Sequence, residues 1–178
     1  MVKWKNIDIG PAYYYITGTI TEWLPLLNRP DIRQIVYDDI KVAVNELNAT
    51  IAAFVIMPEH LHLLVFLPDE GILHKFNKKW RGRSGRHIAE LLVKQNDKDI
   101  LTVLAKHANG KCKHAIWKEQ PRALPIWKKE KLYAKIDYIH ANPVRRKLVE
   151  SPGDWEHSSW RYYERGESVG LDIGPLLI

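Results

Sequence analysis

Two histidines one residue apart, His60 and His62, stand at the head of an apolar run, Leu63 to Leu67, that Pro68 closes. The run has the length of a strand rather than of a helix. Side chains alternate along a strand, so His60, His62, Leu64 and Phe66 share one face, and Leu61, Leu63, Val65 and Leu67 take the other. Two imidazoles side by side at the start of a buried strand are how a sheet presents two nitrogen ligands to one metal ion. The same pattern serves two core histidines satisfied by hydrogen bonds, and the motif alone leaves both readings open.

A second set of chemically able residues lies downstream. Lys129 to about Asn142 is predicted to be a helix, with Leu132, Ile136 and Ile139 as its apolar stripe. Tyr138 lies about 160° round the helix from Ile136, taking roughly 100° per residue, and so falls off that stripe. Asn142 is one turn further on and stacks over the Tyr138 face, while Pro143 is expected to end or kink the helix there. Two His, a Tyr and an Asn suggest phosphodiester chemistry. A phenol with a pKa near 10 is a weak nucleophile at neutral pH. A divalent metal at the scissile phosphate neutralises charge and orients the group for in-line attack. Covalent attack keeps the bond energy as a phosphotyrosine, available for rejoining a strand.

The elements that must position these residues can be read along the chain. Tyr13 to Thr21, after the breakers Gly10-Pro11, is aromatic and β-branched and predicts a first strand. Trp23 to Pro30 is a connector, and Asp31 an N-cap or first-turn residue. Ile32, Ile35, Val36, Ile40, Ala43, Val44 and Leu47 then recur at helical steps up to about Asn48. Ile51 to Met57 is a second strand. Pro58-Glu59 is too short for a helical crossover, so the second and histidine strands should be antiparallel. Ile72 to Gln95 predicts a helix weakened by Gly82 and Gly85, and Asp97 to Ala108 another, stopped by Asn109-Gly110. His114 to Trp117 is expected as a short fourth strand and Glu119 to Pro125 as a loop. The order strand, helix, two antiparallel strands, helix, short strand, helix fits an α+β ferredoxin-like sandwich. Its antiparallel sheet would have helices on one face and His60 and His62 on the other, with the tyrosine helix close by.

Composition narrows the class. The 178 residues suffice for one domain, and a hydrophobic fraction of 46% is that of a globular protein. No stretch has the roughly 18 or more apolar residues of a membrane span. The start of the chain has no apolar signal core, so a cytoplasmic protein is expected. The single Cys112 allows no internal disulfide and no cysteine-rich structural zinc site. A net charge of +6, with seven Trp and eight Tyr, suits a polyanion with unpaired bases. Lys75, Lys78, Lys79, Arg81, Arg83 and Arg86 fall in a stretch with no acid, which reads as a phosphate-tracking surface or as a solvated helix face.

The segments Met57-Pro58-Glu59-His60-Leu61-His62-Leu63-Leu64 and Asp137-Tyr138-Ile139-His140-Ala141-Asn142-Pro143-Val144-Arg145 closely resemble the REP-associated tyrosine transposases, of the HUH single-tyrosine group. Pro152 to Ser159 looks like that family's tail, and the likeness runs from the first strand to about Tyr163. It implies a single catalytic domain over 1–178, a tail from about 150 that contacts DNA, and action on single-stranded or hairpin DNA of repetitive palindromic elements, as a monomer or homodimer. It implies that His60 and His62 bind Mg²⁺ or Mn²⁺ and that Tyr138 attacks the phosphate, leaving a 5′-phosphotyrosine and a 3′-OH. In related insertion-sequence transposases a polar side chain one turn after the tyrosine completes the metal site, and Asn142 stands there. Arg145, Trp160 and Arg161 are candidate DNA contacts with the basic segment; Tyr133 is expected in the core, and His140 is given no ligand role. The span from about Asp97 to Lys113 departs from the usual pattern. A non-catalytic hairpin-binding module and a hydrolytic metal nuclease are the competing readings.

Overall fold

Strand β1, Ala12–Thr19, is at the heart of the sheet because its aromatic and β-branched residues are buried on both faces. The computed structural model describes residues 7–8, 10–108, 110, 112–118 and 122–177. After β1 come α1 (Pro30–Glu46), β2 (Thr50–Ile56), β3 (His60–Leu67), α2 (Ile72–Lys94), α3 (Lys98–Ala105), β4 (Arg122–Ile126), α4 (Lys129–Arg145) and α5 (Trp160–Arg165). The strand order is β2-β3-β1-β4, every adjacent pair antiparallel. With β3 between β1 and β2, the β1-α1-β2 unit is a split βαβ, the ferredoxin-like arrangement read from the sequence.

Local chemistry explains the helix ends. Pro30 opens α1 in its first turn, where a missing N–H costs nothing, and Asp31 Oδ1 accepts the Ile32 N–H at 2.9 Å. Asn48, just past the end of α1, takes a left-handed conformation with φ 49°, which asparagine tolerates.

The two faces of the sheet carry two cores. Tyr14, Ile16, Leu61, Leu63 and Val65 pack with α1 and α2, while Tyr13, Tyr15, Leu64 and the stripe Leu132, Ile136, Ile139 of α4 pack on the other side. Helices thus cover both faces, α1 and α2 on one and α4 on the other. The register shifts between Ile51 and Ala53, so that Ile51 and Phe54 face α1 and α2 but Ala53 and Val55 face α4. A Cβ at Gly18 would come within 2.6 Å of the Trp80 ring, so glycine is what lets this indole reach the sheet.

Two expectations are corrected. His114 to Trp117 is not a strand; Trp117 makes only an isolated bridge to Ile20. The fourth strand is β4, which overlaps the segment Glu119 to Pro125 expected as loop on account of its prolines and runs one residue past it; Glu119, Gln120 and Pro121 lie outside the described residues. β4 is an edge strand paired only with β1, and Pro125 has no N–H to offer a second neighbour that an edge strand does not have. The expected helix stop at Asn109 also falls outside the described residues, and α3 ends at Ala105. No helix among the described residues is long and apolar enough to cross a membrane.

The segment after residue 150 runs along the free edge of β2. Ile56 N–H donates to the His157 carbonyl, Ser159 N–H to the Phe54 carbonyl, and Trp155 Nε1 to the Ile56 carbonyl, at 2.8, 3.0 and 2.9 Å. The Tyr163 hydroxyl donates to the Ala52 carbonyl at 2.7 Å. An exposed row of unpaired backbone groups invites pairing with other chains, and this cover removes it. His140 of α4 joins the layer, its Nε2 2.7 Å from Ser159 Oγ.

Burial pushes His140 down to about 4 and His62 to about 3. Both folded values lie below the ordinary 6.5, so the unfolded chain binds protons more readily and folding stability rises with pH. That stability is complete above about pH 6.5 and is lost as pH falls, by up to about 1.4 kcal/mol per pH unit for each group. Thermal unfolding at pH 7 and pH 5 should show a smaller drop in Tm for His140→Gln than for the wild type.

Candidate active site

The site lies where β1, β3 and α4 meet at the Pro58-Glu59 turn. His60 and His62 are 7% and 6% exposed, with ring centroids 4.9 Å apart. Each uses Nδ1 within the protein. His60 Nδ1 lies 3.2 Å from Glu59 Oε1, and His62 Nδ1 lies 2.8 Å from the Tyr15 hydroxyl and 3.0 Å from Thr17 Oγ1. The sheet register supplies the partners of His62, since Thr17 stands opposite it, while His60 takes its partner from the preceding residue. With Nδ1 engaged on both rings, Nε2 is the nitrogen left for a ligand or a proton. Burial lowers the pKa of both; for His60 it outweighs the attraction of Glu59, so the Glu59 contact is a hydrogen bond to a neutral ring. Glu59 is balanced by Arg146, whose guanidinium lies 2.7 Å from Oε1.

α4 brings its tyrosine to the same place. The half-buried Tyr138 ring lies 6.1 Å from His62 and 6.1 Å from Tyr15. Lys135 Nζ stands 4.7 Å over the Tyr138 ring and 4.2 Å over that of Tyr15, and the Arg145 guanidinium lies 5.0 Å from the Tyr138 centroid. Burial raises the Tyr15 pKa, Thr17 offsets part of this, and interaction with Tyr138 raises it further, so Tyr15 stays a protonated donor.

The helix does not stop at Asn142. It continues to Arg145 with Pro143 inside its last turn. Pro143 has no N–H for the Ile139 carbonyl four residues back. Asn142 makes up for this, its Nδ2 donating to the carbonyls of Tyr138 at 2.7 Å and Ile139 at 3.4 Å. The amide is thereby oriented, with Oδ1 as its remaining acceptor. Among the described residues no group of three His, Cys, Asp or Glu side chains converges on a cation site.

The other candidates are spread over the molecule. α2 packs on the sheet face opposite the histidines, so its basic stretch does not line the site. The stretch has no acid of its own, but α1 supplies them: Lys79 lies 2.5 Å from Glu46, and Arg83 3.3 Å from Asp39 and 3.8 Å from Glu46. Arg81 is largely buried and donates to the Lys118 carbonyl, and Arg86 lies 3.9 Å from Glu90; Lys75 and Lys78 are exposed. In the tail, Arg161 Nε donates to the Gly153 carbonyl at 3.0 Å, and the Arg165 guanidinium lies 5.3 Å from the Trp160 ring. Tyr133, expected in the core, is exposed, because it projects beyond the stripe that faces the sheet.

Sequence reasoning missed Tyr15, Thr17, Lys135 and the Glu59–Arg146 pair. Lys135 was within reach, since it lies three residues before Tyr138 and so on the same helix face. Tyr15 and Thr17 needed the β1–β3 register, which no motif encodes.

Removal of the Asn142 amide should cost about 1 kcal/mol or more, the value of a lost hydrogen bond to a buried carbonyl. Asn142→Ala should cost less in a Pro143→Ala background, where the restored N–H serves Ile139. Equal losses of Tm in the two backgrounds would show that Asn142 does not stand in for the missing donor.

No protein-family model matches the chain, and no curated protein matches it. Solved structures do. A candidate transposase from Deinococcus radiodurans R1 is 16% identical with a TM-score of 0.49, over 78% of this chain and 95% of that one. A REP-associated tyrosine transposase, solved bound to a REP hairpin, is 19% identical with a TM-score of 0.71, covering 93% of that chain. Over 98% of its length, the present chain has the fold of that REP-associated tyrosine transposase.

Proposed function

We propose that the chain is a single-tyrosine DNA strand transferase acting on single-stranded or hairpin DNA. The observation that carries this reading is the convergence of Tyr138 with His60 and His62, reached from α4 and β3. In the step proposed, Tyr138 Oη forms a bond to phosphorus and the P–O3′ bond breaks. The phenol gives up its proton, and the leaving oxygen ends as a 3′-OH. Tyr15 helps if His62 carries its proton on Nδ1. That proton then goes to a hydroxyl oxygen, and the Tyr15 O–H is free to donate to the Tyr138 oxygen as negative charge develops. Lys135 and Arg145 add positive charge on the same side for the phosphate.

The donor set fits a divalent cation. His60 Nε2 and His62 Nε2 would hold it with Asn142 Oδ1, and Glu59 would keep the His60 ring turned the right way, as carboxylates do behind metal-bound imidazoles. Such an ion supplies Lewis-acid polarisation of the phosphate when bound. Two imidazoles beside one amide oxygen favour Mn²⁺ over Mg²⁺, which prefers an all-oxygen shell. The hairpin partner is proposed by analogy with the REP-associated transposase of the same fold.

Tyr138→Phe tests the reading, because it keeps the ring and removes only the oxygen. With Mn²⁺ and an end-labelled hairpin carrying single-stranded flanks, the wild type should give a protein–DNA band that survives boiling in detergent, with the 5′ side of the break on the protein. Tyr138→Phe should bind the hairpin with similar affinity and give no such band. Cleavage by the wild type without an adduct would favour a hydrolytic nuclease; binding without cleavage would favour a recognition module. His60→Ala and His62→Ala should each weaken Mn²⁺ binding by at least about 10-fold in titration calorimetry, the second-shell effect being already of that order. An unchanged titration would return both residues to the core.

A further inference from the structure

We propose that the cleft beside Trp23 is a subsite for one unpaired nucleotide flanking the phosphate that Tyr138 attacks, its base stacked on the indole. This rests on the strand-transferase reading and adds Trp23, Pro25 and Lys118 to the residues of the site. The cleft has a volume of about 470 Å³ and is lined by Trp23, Pro25, Glu59 and Arg146. It therefore shares Glu59 with the histidine pair, and the Trp23 and His60 ring centroids are 6.1 Å apart, nearly perpendicular. A nucleotide stacked here would be a direct neighbour of the reacting centre.

Three observations point to a ligand. Trp23, a large aromatic beside the histidine pair, is 54% exposed. Its backbone is left-handed, φ 55°, and so is that of Glu22, φ 54°. For a bulky side chain this is a rare conformation, found where surrounding structure enforces it. Here the enforcing bonds are visible: Ile20 N–H donates to the Glu59 carbonyl and Leu27 N–H to the Pro58 carbonyl, both at 2.9 Å. The loop is stitched on both sides of Trp23 to the turn that carries His60, so the indole is presented at a fixed place.

Two cations stand at the cleft beside the carboxylate of Glu59, and Glu22, next to Trp23, is turned to His107. Lys118 Nζ stands 4.5 Å over the Trp23 ring. Arg146 gives one nitrogen to Glu59 and keeps the rest of its fork for a phosphate. An exposed aromatic platform flanked by a lysine and an arginine is the chemistry that holds an unpaired base and its backbone. A small apolar molecule would make no use of the two cations.

The experiment uses a hairpin with a single-stranded flank in which 2-aminopurine replaces the natural base at one position at a time. Stacking on an indole quenches this fluorophore. Wild type with Mn²⁺ should quench it strongly at one flank position, Trp23→Ala should abolish that quench, and Trp23→Tyr should keep part of it. Affinity for the flanked hairpin should fall on the order of 10-fold in Trp23→Ala, the usual loss of one base–aromatic stack, and hardly at all for a hairpin without flanks. The indole contributes little to the core, so both variants should fold, as checked by circular dichroism and an unchanged Mn²⁺ titration. Equal quenching in wild type and Trp23→Ala, or uniform quenching along the flank, would overturn the subsite while leaving the transferase reading intact. A wild type that binds neither hairpin nor single strand would overturn both.

Discussion

A slip of one residue in the pairing of β3 with β1 would turn His60 and His62 into the core beneath α1 and α2 and put Leu61 and Leu63 under α4. The register that prevents it is fixed by burial on both faces: Tyr14, Ile16, Leu63 and Val65 on one side, Tyr15 and Leu64 on the other. The same register places Thr17 against His62 and leaves Tyr15 within reach of its Nδ1. Sheet packing therefore decides the orientation of His62, while Glu59 and Arg146 decide that of His60. Both rings are neutral because burial makes the imidazolium costly, which is the state a ligand or an acceptor requires.

The second constraint is the end of α4. Proline within a helix ordinarily removes a hydrogen bond and crowds the preceding turn. Here Pro143 falls in the last turn, where few later residues depend on the helix, and the Asn142 amide answers the carbonyl it leaves bare. One side chain thus serves the helix through Nδ2 and offers Oδ1 elsewhere. The same last turn carries Arg145 over the Tyr138 ring, and Arg146 follows it to Glu59.

Much of this was legible in the sequence because it rests on local periodicity. The alternation of His60, His62, Leu64 and Phe66, the stripe Leu132, Ile136, Ile139 and the short Pro58-Glu59 link are each decided within a few residues, and together they give the ferredoxin-like sandwich. β4 was illegible because prolines argue against a strand unless its edge position is known, and only the assembled sheet reveals an edge. The surroundings of the basic stretch of α2 were illegible for a similar reason. Its lack of acids is a local fact, but Asp39 and Glu46 reach it from another helix. The tail, read by resemblance as a DNA contact, has a backbone bonded to β2, which periodicity cannot show.

The tail and the site are linked through one helix. Tyr138 can lie beside His62 only if α4 is held down along its length. The stripe does this from below, and His140, bonded to Ser159, does it from the side. Ser159 is itself anchored to both backbone groups of Phe54 in β2. A chain of buried contacts thus runs from the sheet edge through Ser159 and His140 to the turn of helix that carries Tyr138. His140 lies two residues after Tyr138 yet bonds to the tail rather than to the histidine pair, and its place in that chain gives it a physical reason to be there. A single turn of α4 thus carries Tyr138 toward His62 on one face and is anchored through His140 to the tail on another.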